Sequence, residues 1–581
     1  MTNKTTRFKP IPQEILEKSV ELSNSPEVLL ELLSNLQALP ESLSRDNITY
    51  AARLLNIPAH HAYGVTTFYS MLSTETRKNT LRICDGPVCW IKRASAEEKH
   101  TKNVVDLISD TVPSEWTVER SSCLGLCDRA PAILVNDDQA GPISIGETKN
   151  ACQGWKGVPT DYSIPRPNEK RVMLANTDQI DPNDIHSAIK FGGYLGLQTA
   201  LQLTPEEVIA IIEASGLQGR GGAGFPVGRK WKFVSQAQIF PKYIIANADE
   251  SEPLIFKDRV LIDSNPHQLL EGMAIGGYAC GASEAYIYIR GEYVSQAQRL
   301  KLAIKQAGEL GWLGDNIQGS GFSFHIHVHL GAGAYICGEE TALIESLEGK
   351  RGEPRLRPPY PPTFGFRGHP TAVNNVESFA AVPHIMKNGS DWWKSLSTYS
   401  VPGTKLYMIL GHVRKPGIFE APFGLTLRQI IDDYGGGLQD GSSFHFALTG
   451  GAAGTMVNSS MLDIPLDYSS SQKGIGLGAG AFLICDNRVS SVAFLRELLH
   501  FFAAESCGKC TPCRVGTWRA YNLLCQMADN EITEPDIDEL KALSENMLLT
   551  SFCGLGQSVP ISINSALANF ASEFSASRKR D

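Results

Sequence analysis

Residues 205–252 read PEEVIAIIEASGLQGRGGAGFPVGRKWKFVSQAQIFPKYIIANADESE, and this stretch decides how the rest of the chain is parsed. Its first part places apolar residues at helical spacing behind Thr204 and Pro205, the pattern of a helix start. A glycine-rich loop follows. Then comes KYIIANA, a short β-prone run that ends in the polar residues Asn247, Asp249, Glu250 and Glu252. Helix, glycine loop and strand in this order predict an α/β layer. Ligands of open α/β sheets sit beyond the carboxyl ends of strands, which is where these polar residues fall.

The loop GRGGAGFPVGRKWKF, from Gly219 to Phe233, satisfies G-x-G-x-x-G at Gly219, Gly221 and Gly224. A Rossmann fingerprint must follow a strand and open a helix, and these glycines follow a helix, so the simple dinucleotide reading is weakened. What survives is physical. Consecutive glycines let backbone N–H groups approach a phosphate or a planar ring, and Arg220 and Lys230 add charge. The competing reading is an ordinary flexible loop. A second strand end points to the same crevice: HVHL runs into GAGAYICGEETAL and delivers Tyr335, Gly338, Glu339 and Glu340. A third edge is RLRPPYPPTFGFRGHPTAVNNVES, whose prolines stiffen an extended path and whose Asn374 and Asn375 offer amide hydrogen bonds.

The whole chain has 581 residues, with 53 Lys and Arg against 62 Asp and Glu for a net charge of -9, 42% hydrophobic and 20% charged. That is the composition of a folded protein, and single cores rarely exceed about 300 residues, so one compact domain is excluded. A mildly acidic balance without clustered positive charge argues against a nucleic-acid partner. The opening MTNKTTRFKPIPQEILEKSV has positive charge but no apolar stretch behind it, and no uncharged apolar run of about 18 residues follows. The expectation is a cytoplasmic protein with no transmembrane segment.

The pattern predicts a multidomain α/β and α+β fold. Residues 1–75 read as a helical bundle, through IPQEILEKSVELSN, SPEVLLELLSNLQAL and NITYAARLLNIP. Residues 76–152 read as a small α/β unit with TLRIC and PAILVND as strands, and the Gly- and Pro-rich 153–170 as a linker. Residues 171–395 form the largest α/β domain, with KYIIANA, EAYIYIR and FHIHVHL as strands. Residues 396–486 suggest an α+β insert in which TKLYMIL, SFHFALTG and GAFLICD surround the helix LTLRQIIDDYG. Residues 487–581 are helical around a cysteine-bearing break.

Thirteen cysteines in a reducing compartment read as metal ligands or buried thiols rather than disulfides. Cys84 and Cys89 in CDGPVC, with Cys123 and Cys127 in CLGLC, make four soft thiolates on two loops whose Gly and Pro residues let the sulfurs converge. This suits a [2Fe–2S] cluster, and the spacing also admits structural zinc or buried thiols. ESCGKCTPCRVG places Cys507, Cys510 and Cys513 at C-x2-C-x2-C, three corners of a [4Fe–4S] cubane. Of the two candidates for the fourth corner, Cys525 lies in the apolar helical stretch YNLLCQMA and Cys553 in the glycine-flanked SFCGLG, so Cys553 is chosen. Cys152, Cys280, Cys337, Cys485 and Cys525 default to buried thiols. His325, His327 and His329 share one strand face, and the structural reading is preferred there over a metal site.

GRGGAGFPVGRKW, NADESEP, GAGAYICGEETAL, PTAVNNVES and ESCGKCTPCRVG together resemble the NADH-oxidising flavoprotein subunit of respiratory complex I and its relatives, in the family's order over roughly residues 190–570. CDGPVC and CLGLC, with IPAHHAYGVTTFYSML before them, look like its thioredoxin-like [2Fe–2S] partner subunit. The fusion of both in one chain is similar to the large diaphorase subunit of soluble NAD-reducing hydrogenases. The resemblance implies a thioredoxin-like [2Fe–2S] domain, an FMN-binding α/β domain, a β-grasp-like insert and a C-terminal [4Fe–4S] helical bundle. It implies FMN contacts at Gly219, Arg220, Gly221, Lys230, Asn247, Asp249, Glu250, Tyr335, Gly338, Glu339, Val373, Asn374 and Asn375. It implies NAD(H) contacts at Phe225, Phe233, Glu252, Tyr335, Glu340 and Tyr360. Arg357 and Tyr360 stand where complex I has lysine and phenylalanine, and Gly450-Gly451-Ala452-Ala453 departs from the family loop, which puts a flavin contact there in doubt. Relatives with ferredoxin-type domains after the flavin unit are not expected, because no cysteine set follows Cys553.

A nicotinamide gives up two electrons as hydride and an Fe–S cluster takes one, and flavin converts between them, so no side-chain acid or base is required. The resemblance implies an Fe–S-containing small diaphorase subunit and NiFe hydrogenase subunits as partners. A formate dehydrogenase or complex I setting is the alternative within the class, and a non-catalytic zinc scaffold the alternative outside it.

Overall fold

The computed structural model describes residues 26–38, 42–75, 77–94, 104–109, 111–529 and 532–574. The helix expected at 11–24 lies outside them. The other N-terminal helices are present as Leu29–Gln37 and Arg45–Leu54, followed by Ala59–Thr66. Leu29, Leu33 and Leu36 are fully buried on one face of the first. Ser44 caps the second by accepting from the Asn47 N–H. The Tyr69 hydroxyl donates to the Lys350 carbonyl at 2.8 Å and lies 2.7 Å from the Ser346 hydroxyl, which donates to it. The N–H groups of Ser70 and Met71 donate to the carbonyls of Gly333 and Ala332, each at 2.9 Å. This bundle therefore buttresses the loop that carries Tyr335 to Glu340.

The small α/β unit has strands β1 (Asn79–Cys84), β2 (Trp116–Ser121), β3 (Ile133–Val135) and β4 (Asp138–Ala140) in the order β2-β1-β3-β4. β1 pairs parallel with β2 and antiparallel with β3. The large domain holds β5 (Tyr243–Ala248), β6 (Glu284–Ile289), β7 (His325–Leu330) and β8 (Thr371–Asn375), ordered β7-β6-β5-β8. All three pairings are parallel. Helices cover such a sheet, which is why its strands read as continuous apolar runs. The register sets Ala246 opposite Asn374 and Asn247 opposite Asn375, so the polar ends of β5 and β8 lie side by side.

On β7, His325 faces Asp315, His327 meets Glu284 at 2.7 Å, and His329 stacks on Tyr288 with burial pushing it down to about 4. Each has a structural partner. The insert is a five-stranded sheet ordered β10-β9-β13-β11-β12. Its strands are β9 (Thr404–Gly411), β10 (Gly417–Pro422), β11 (Phe444–Thr449), β12 (Thr455–Val457) and β13 (Ala481–Asp486). The helix expected at LTLRQIIDDYG is one short turn, Leu427–Gln429, followed by a wider π turn, Ile430–Tyr434. Four helices close the described chain: Ser491–Glu505, Thr511–Asp529, Glu534–Thr550 and Gly554–Asn569.

Residues 153–170 contain no helix or strand, yet they form a pinned strap. The Arg166 guanidinium donates to the carbonyls of Lys415 and Tyr434 at 2.7 Å and of Pro416 at 2.8 Å. Tyr162 donates to Asp128 at 3.0 Å, and the same carboxylate takes the Arg259 guanidinium at 2.6 Å with both side chains 1% exposed. A buried pair of this kind costs more to break than it contributes. Asp128→Ala, which leaves the buried Arg259 with only Asp263 at 3.6 Å among the described residues, is expected to destabilise the protein by about 3 kcal/mol in denaturant titration. An unchanged midpoint would refute this account of the junction.

Candidate functional site

Two adjoining cavities of about 800 Å3 and about 790 Å3 open where β5 and β8 end. Together they are large enough for a cofactor and a second ligand, since single ligand pockets run to roughly 300–1,000 Å3. Gly221, Ala223, Asn247, Gly338, Glu339, Asn375 and Gly554 line both. The first cavity adds Gly219, Phe225, Lys230, Phe233, Glu340, Tyr360, Val373 and Asn374, and the second adds Asp249, Glu250, Glu252 and Tyr335. All the nucleotide-contact residues expected from sequence line one or the other except Arg220. Its side chain is fully buried and turned away, donating to the Thr404 carbonyl at 3.0 Å with its guanidinium 4.6 Å above the Phe423 ring.

The first cavity has an aromatic, half-open rim. Phe225, Phe233 and Tyr360 are 41%, 44% and 55% exposed. Lys230 donates to the Val373 carbonyl at 2.8 Å and lies 3.6 Å from Glu340, while Arg357 lies 3.4 Å from the same carboxylate. The arginine thus adds a second positive charge beside Lys230 on this rim. In the second cavity Glu252 is buried, which raises its carboxyl, and it accepts from the Tyr335 hydroxyl and from the Ala453 N–H at 2.8 Å. A Cβ on Gly451 would meet Glu252 Oε1 at 2.6 Å. The Gly450–Ala453 loop therefore seats Glu252, and a glycine at 451 leaves it room.

The cavity fits a flavin nucleotide on its own chemistry. Asp249 Oδ2 and Glu339 Oε1 are buried without a hydrogen-bond partner among the described residues. A Cβ on Gly338 would come into contact with Asp249 Oδ2 at 3.6 Å, so the glycine keeps the approach to that carboxylate open. Sequence reading missed Lys257, Tyr468 and the Gly476–Ala479 segment, which also line the second cavity. Lys257 had a signal: LIFKDRVLI sets three charges inside an apolar run, and such charges are buried only with partners.

Cys507, Cys510, Cys513 and Cys553 line one small cavity with Ile336, Pro354, Phe552 and Leu555. Cys525 is not among them. Burial pushes the Cys513 thiol up to about 12 and raises Cys507 and Cys553, so thiolates here need a positive partner such as a cluster provides. Ile336 and Leu555 line both this cavity and the second nucleotide cavity, so one layer of side chains separates the two.

In the N-terminal unit, Cys84 is held well below the usual thiol range by hydrogen bonds from Cys123 and Cys89, and Cys123 lies 4.0 Å from Cys127. Their loop rests on the large domain: the Leu254 N–H donates to Cys127 Sγ at 3.3 Å, and Arg290 bridges the carbonyls of Glu250 and Cys123 at 2.6 Å each. Among the described residues no three His, Cys, Asp or Glu side chains converge closely enough to share a single ion.

Family models match four parts of the chain: a thioredoxin-like [2Fe–2S] ferredoxin at 13–156, the Nuo51 FMN-binding domain at 212–384, an SLBB domain at 406–456 and the NADH-ubiquinone oxidoreductase-F iron-sulfur binding region at 493–577. The F subunit of the NADH-quinone oxidoreductase of Aquifex aeolicus is 46% identical over 428 residues, 74% of this chain and 98% of that protein. The HndC subunit of the NADP-reducing hydrogenase of Solidesulfovibrio fructosivorans is 45% identical over 408 residues, 70% of this chain and 83% of that one. A chain of an NAD+-reducing [NiFe]-hydrogenase, solved in the air-oxidised state, superposes with a TM-score of 0.81 at 29% identity over 95% of this chain and 94% of its own.

Fold and site thus define an iron–sulfur flavoprotein subunit that oxidises NADH. The chain belongs to the family of the F subunits of NADH-quinone oxidoreductases, with the thioredoxin-like [2Fe–2S] unit fused ahead of the flavin unit. The assignment of individual cluster ligands makes a pairwise prediction. Cys510→Ala should abolish the [4Fe–4S] paramagnetic signal while Cys525→Ala retains it. Loss in the second variant, or retention in the first, would reverse the choice of ligands.

Proposed function

We propose that the chain is the diaphorase subunit of an NAD-reducing hydrogenase, with FMN seated against the glycine loop and the ends of β5 and β8. NAD(H) would enter over the aromatic rim. Bound FMN supplies the exchange of a hydride for single electrons. The chain's own residues do the placing: Phe225 and Phe233 offer faces for a planar ring, Lys230 and Arg357 offset the acidic rim, and Glu252, fixed by Tyr335 and Ala453, offers a carboxyl to the ligand. Asn247, Asn374 and Asn375 form the floor, held in place by Gly338, Trp231, Lys257 and Asp258. Electrons would leave toward Cys507, Cys510, Cys513 and Cys553 and pass to an Fe–S-containing small diaphorase subunit, with the thiols of Cys84, Cys89, Cys123 and Cys127 holding the [2Fe–2S] cluster on another side of the cavity.

The observation that carries this reading is the full-length likeness, fusion included, to a chain of an NAD+-reducing [NiFe]-hydrogenase. A complex I setting is the second reading, favoured by the 46% identity to a quinone oxidoreductase subunit. No helix among the described residues is long and apolar enough to cross a membrane, which is compatible with both settings.

Purification of the native complex under anaerobic conditions separates them. Nickel in stoichiometric amount supports the hydrogenase, and a complex with molybdenum or with quinone reductase activity and no nickel overturns it. For the pocket, Phe233→Ala should raise the KM for NADH about 5- to 10-fold, the worth of about 1 kcal/mol of ring stacking, with FMN content unchanged. A wild-type KM would remove Phe233 from the nicotinamide site.

A further inference from the structure

Beneath the cavity floor lies a buried charge cluster that reaches into the SLBB insert. Lys257 Nζ is 2.7 Å from Asp258 Oδ1, 2.7 Å from Asn375 Oδ1 and 3.0 Å from Glu377 Oε2. Lys405, on β9 of the insert, reaches the same Glu377 oxygen at 3.2 Å, and the Leu406 N–H donates to the other at 2.9 Å. Lys257, Glu377 and Lys405 are at most 1% exposed. With the buried Arg220, three cations face Asp258 and Glu377, while the neighbouring Glu250 carboxyl is pushed up to about 8 by burial and so stays protonated on the acid side. A Cβ on Gly480 would lie 3.4 Å from Lys405 Nζ, and Gly478 and Ala479 next to it line the cavity, so this ammonium sits about one backbone layer from the site.

Taking an ammonium out of water is costly, and an excess cation under a cavity is retained only where something negative offsets it. Hydride transfer creates such a charge. With FMN bound, the nicotinamide C–H bond would break with its electron pair and proton passing to the flavin, so that the nicotinamide would leave as a cation and the reduced flavin would carry the negative charge. Fixed cations in a low-dielectric site stabilise that anion more than water-exposed ones would. Glu377 is shared: the part of its charge engaged by Lys405 does not neutralise Lys257, which lines the cavity.

We propose that Lys405, supplied by the SLBB insert, is a positioning residue of the flavin site, holding Glu377 so that Lys257 and Asn375 face the cofactor and adding the cation that favours the reduced flavin. The insert is then part of the electrostatics of the site. This rests on the reading that the cavity holds FMN. Burial, opposed by Glu377, pushes the Lys405 ammonium down to about 7, so its charge is best tested on the acid side.

The test is anaerobic spectroelectrochemical titration of the full-length holoprotein at about pH 6, well below the usual lysine range. Lys405→Met should lower the flavin midpoint potential, leaving at least tenfold less reduced flavin at a fixed ambient potential, or about 30 mV for a two-electron couple. Asp258→Asn should shift it in the opposite direction, because Lys257 is then less compensated while Glu377 still holds the Lys405 charge. Purely structural damage would move both the same way. Should Lys405→Met not retain its Fe–S absorbance, Lys405→Gln removes the charge while keeping a hydrogen bond to Glu377, and the same fall is expected. A wild-type potential in the neutral variants, or shifts of one sign in all, overturns the proposal. Wild-type chain that binds no flavin overturns the cavity reading beneath it, a result read before any variant is compared.

Discussion

The parallel pairing of β5 with β8 is the constraint on which the site depends. Because Asn247 stands opposite Asn375 in that register, the glycine loop, the acidic turn after β5 and the asparagine pair arrive at one place. A parallel sheet must be buried on both faces, so this floor cannot drift without exposing Ile244, Ile245 and Ala372, which are completely buried. Asn375 also caps the helix Val376–Asn388, and the next residue but one, Glu377, takes the two buried lysines. The same few residues therefore terminate a strand, start a helix and shape the cavity.

Electron transfer imposes the second requirement, that the redox groups be held near one another. The loops do this by sharing backbone hydrogen bonds. Tyr335 N–H donates to the Glu505 carboxylate at 2.9 Å, tying the cavity wall to the residue two before Cys507. Tyr293 donates to the Gly125 carbonyl at 3.0 Å, between Cys123 and Cys127, and Arg290 completes that junction. Ile336 and Leu555 supply an apolar partition between the nucleotide cavity and the four cysteines. Each cluster loop is fixed to the acidic or the tyrosine-bearing wall of one cavity.

Much of this was legible in the sequence because the chemistry is local. C-x2-C-x2-C, the consecutive glycines and the polar strand ends are short patterns whose residue types already state what they bind. Cys553 could be preferred over Cys525 because glycines mark a loop and an apolar stretch marks a helix. What was not legible depends on long-range contact. Nothing near Arg220 says that it turns into the insert, since Thr404 and Phe423 lie about two hundred residues away. Residues 153–170 read as a linker because a strap held by Arg166 through carbonyls of other segments has no periodicity of its own. Lys405 sits in TKLYMIL, an ordinary strand signal, and only the sheet placed against Glu377 makes its charge significant.

The account's central claim is that a flavin lies between the nicotinamide pocket and the cubane as the obligatory link. Mixing NADH with the purified chain, with and without FMN, and following the [4Fe–4S] paramagnetic signal on rapid freezing tests it most directly. The account predicts that the cubane is reduced by NADH only when FMN is bound, after the flavin bleaches. Reduction of the cubane in flavin-free protein, or a bleached flavin beside a cubane that stays oxidised, would contradict it.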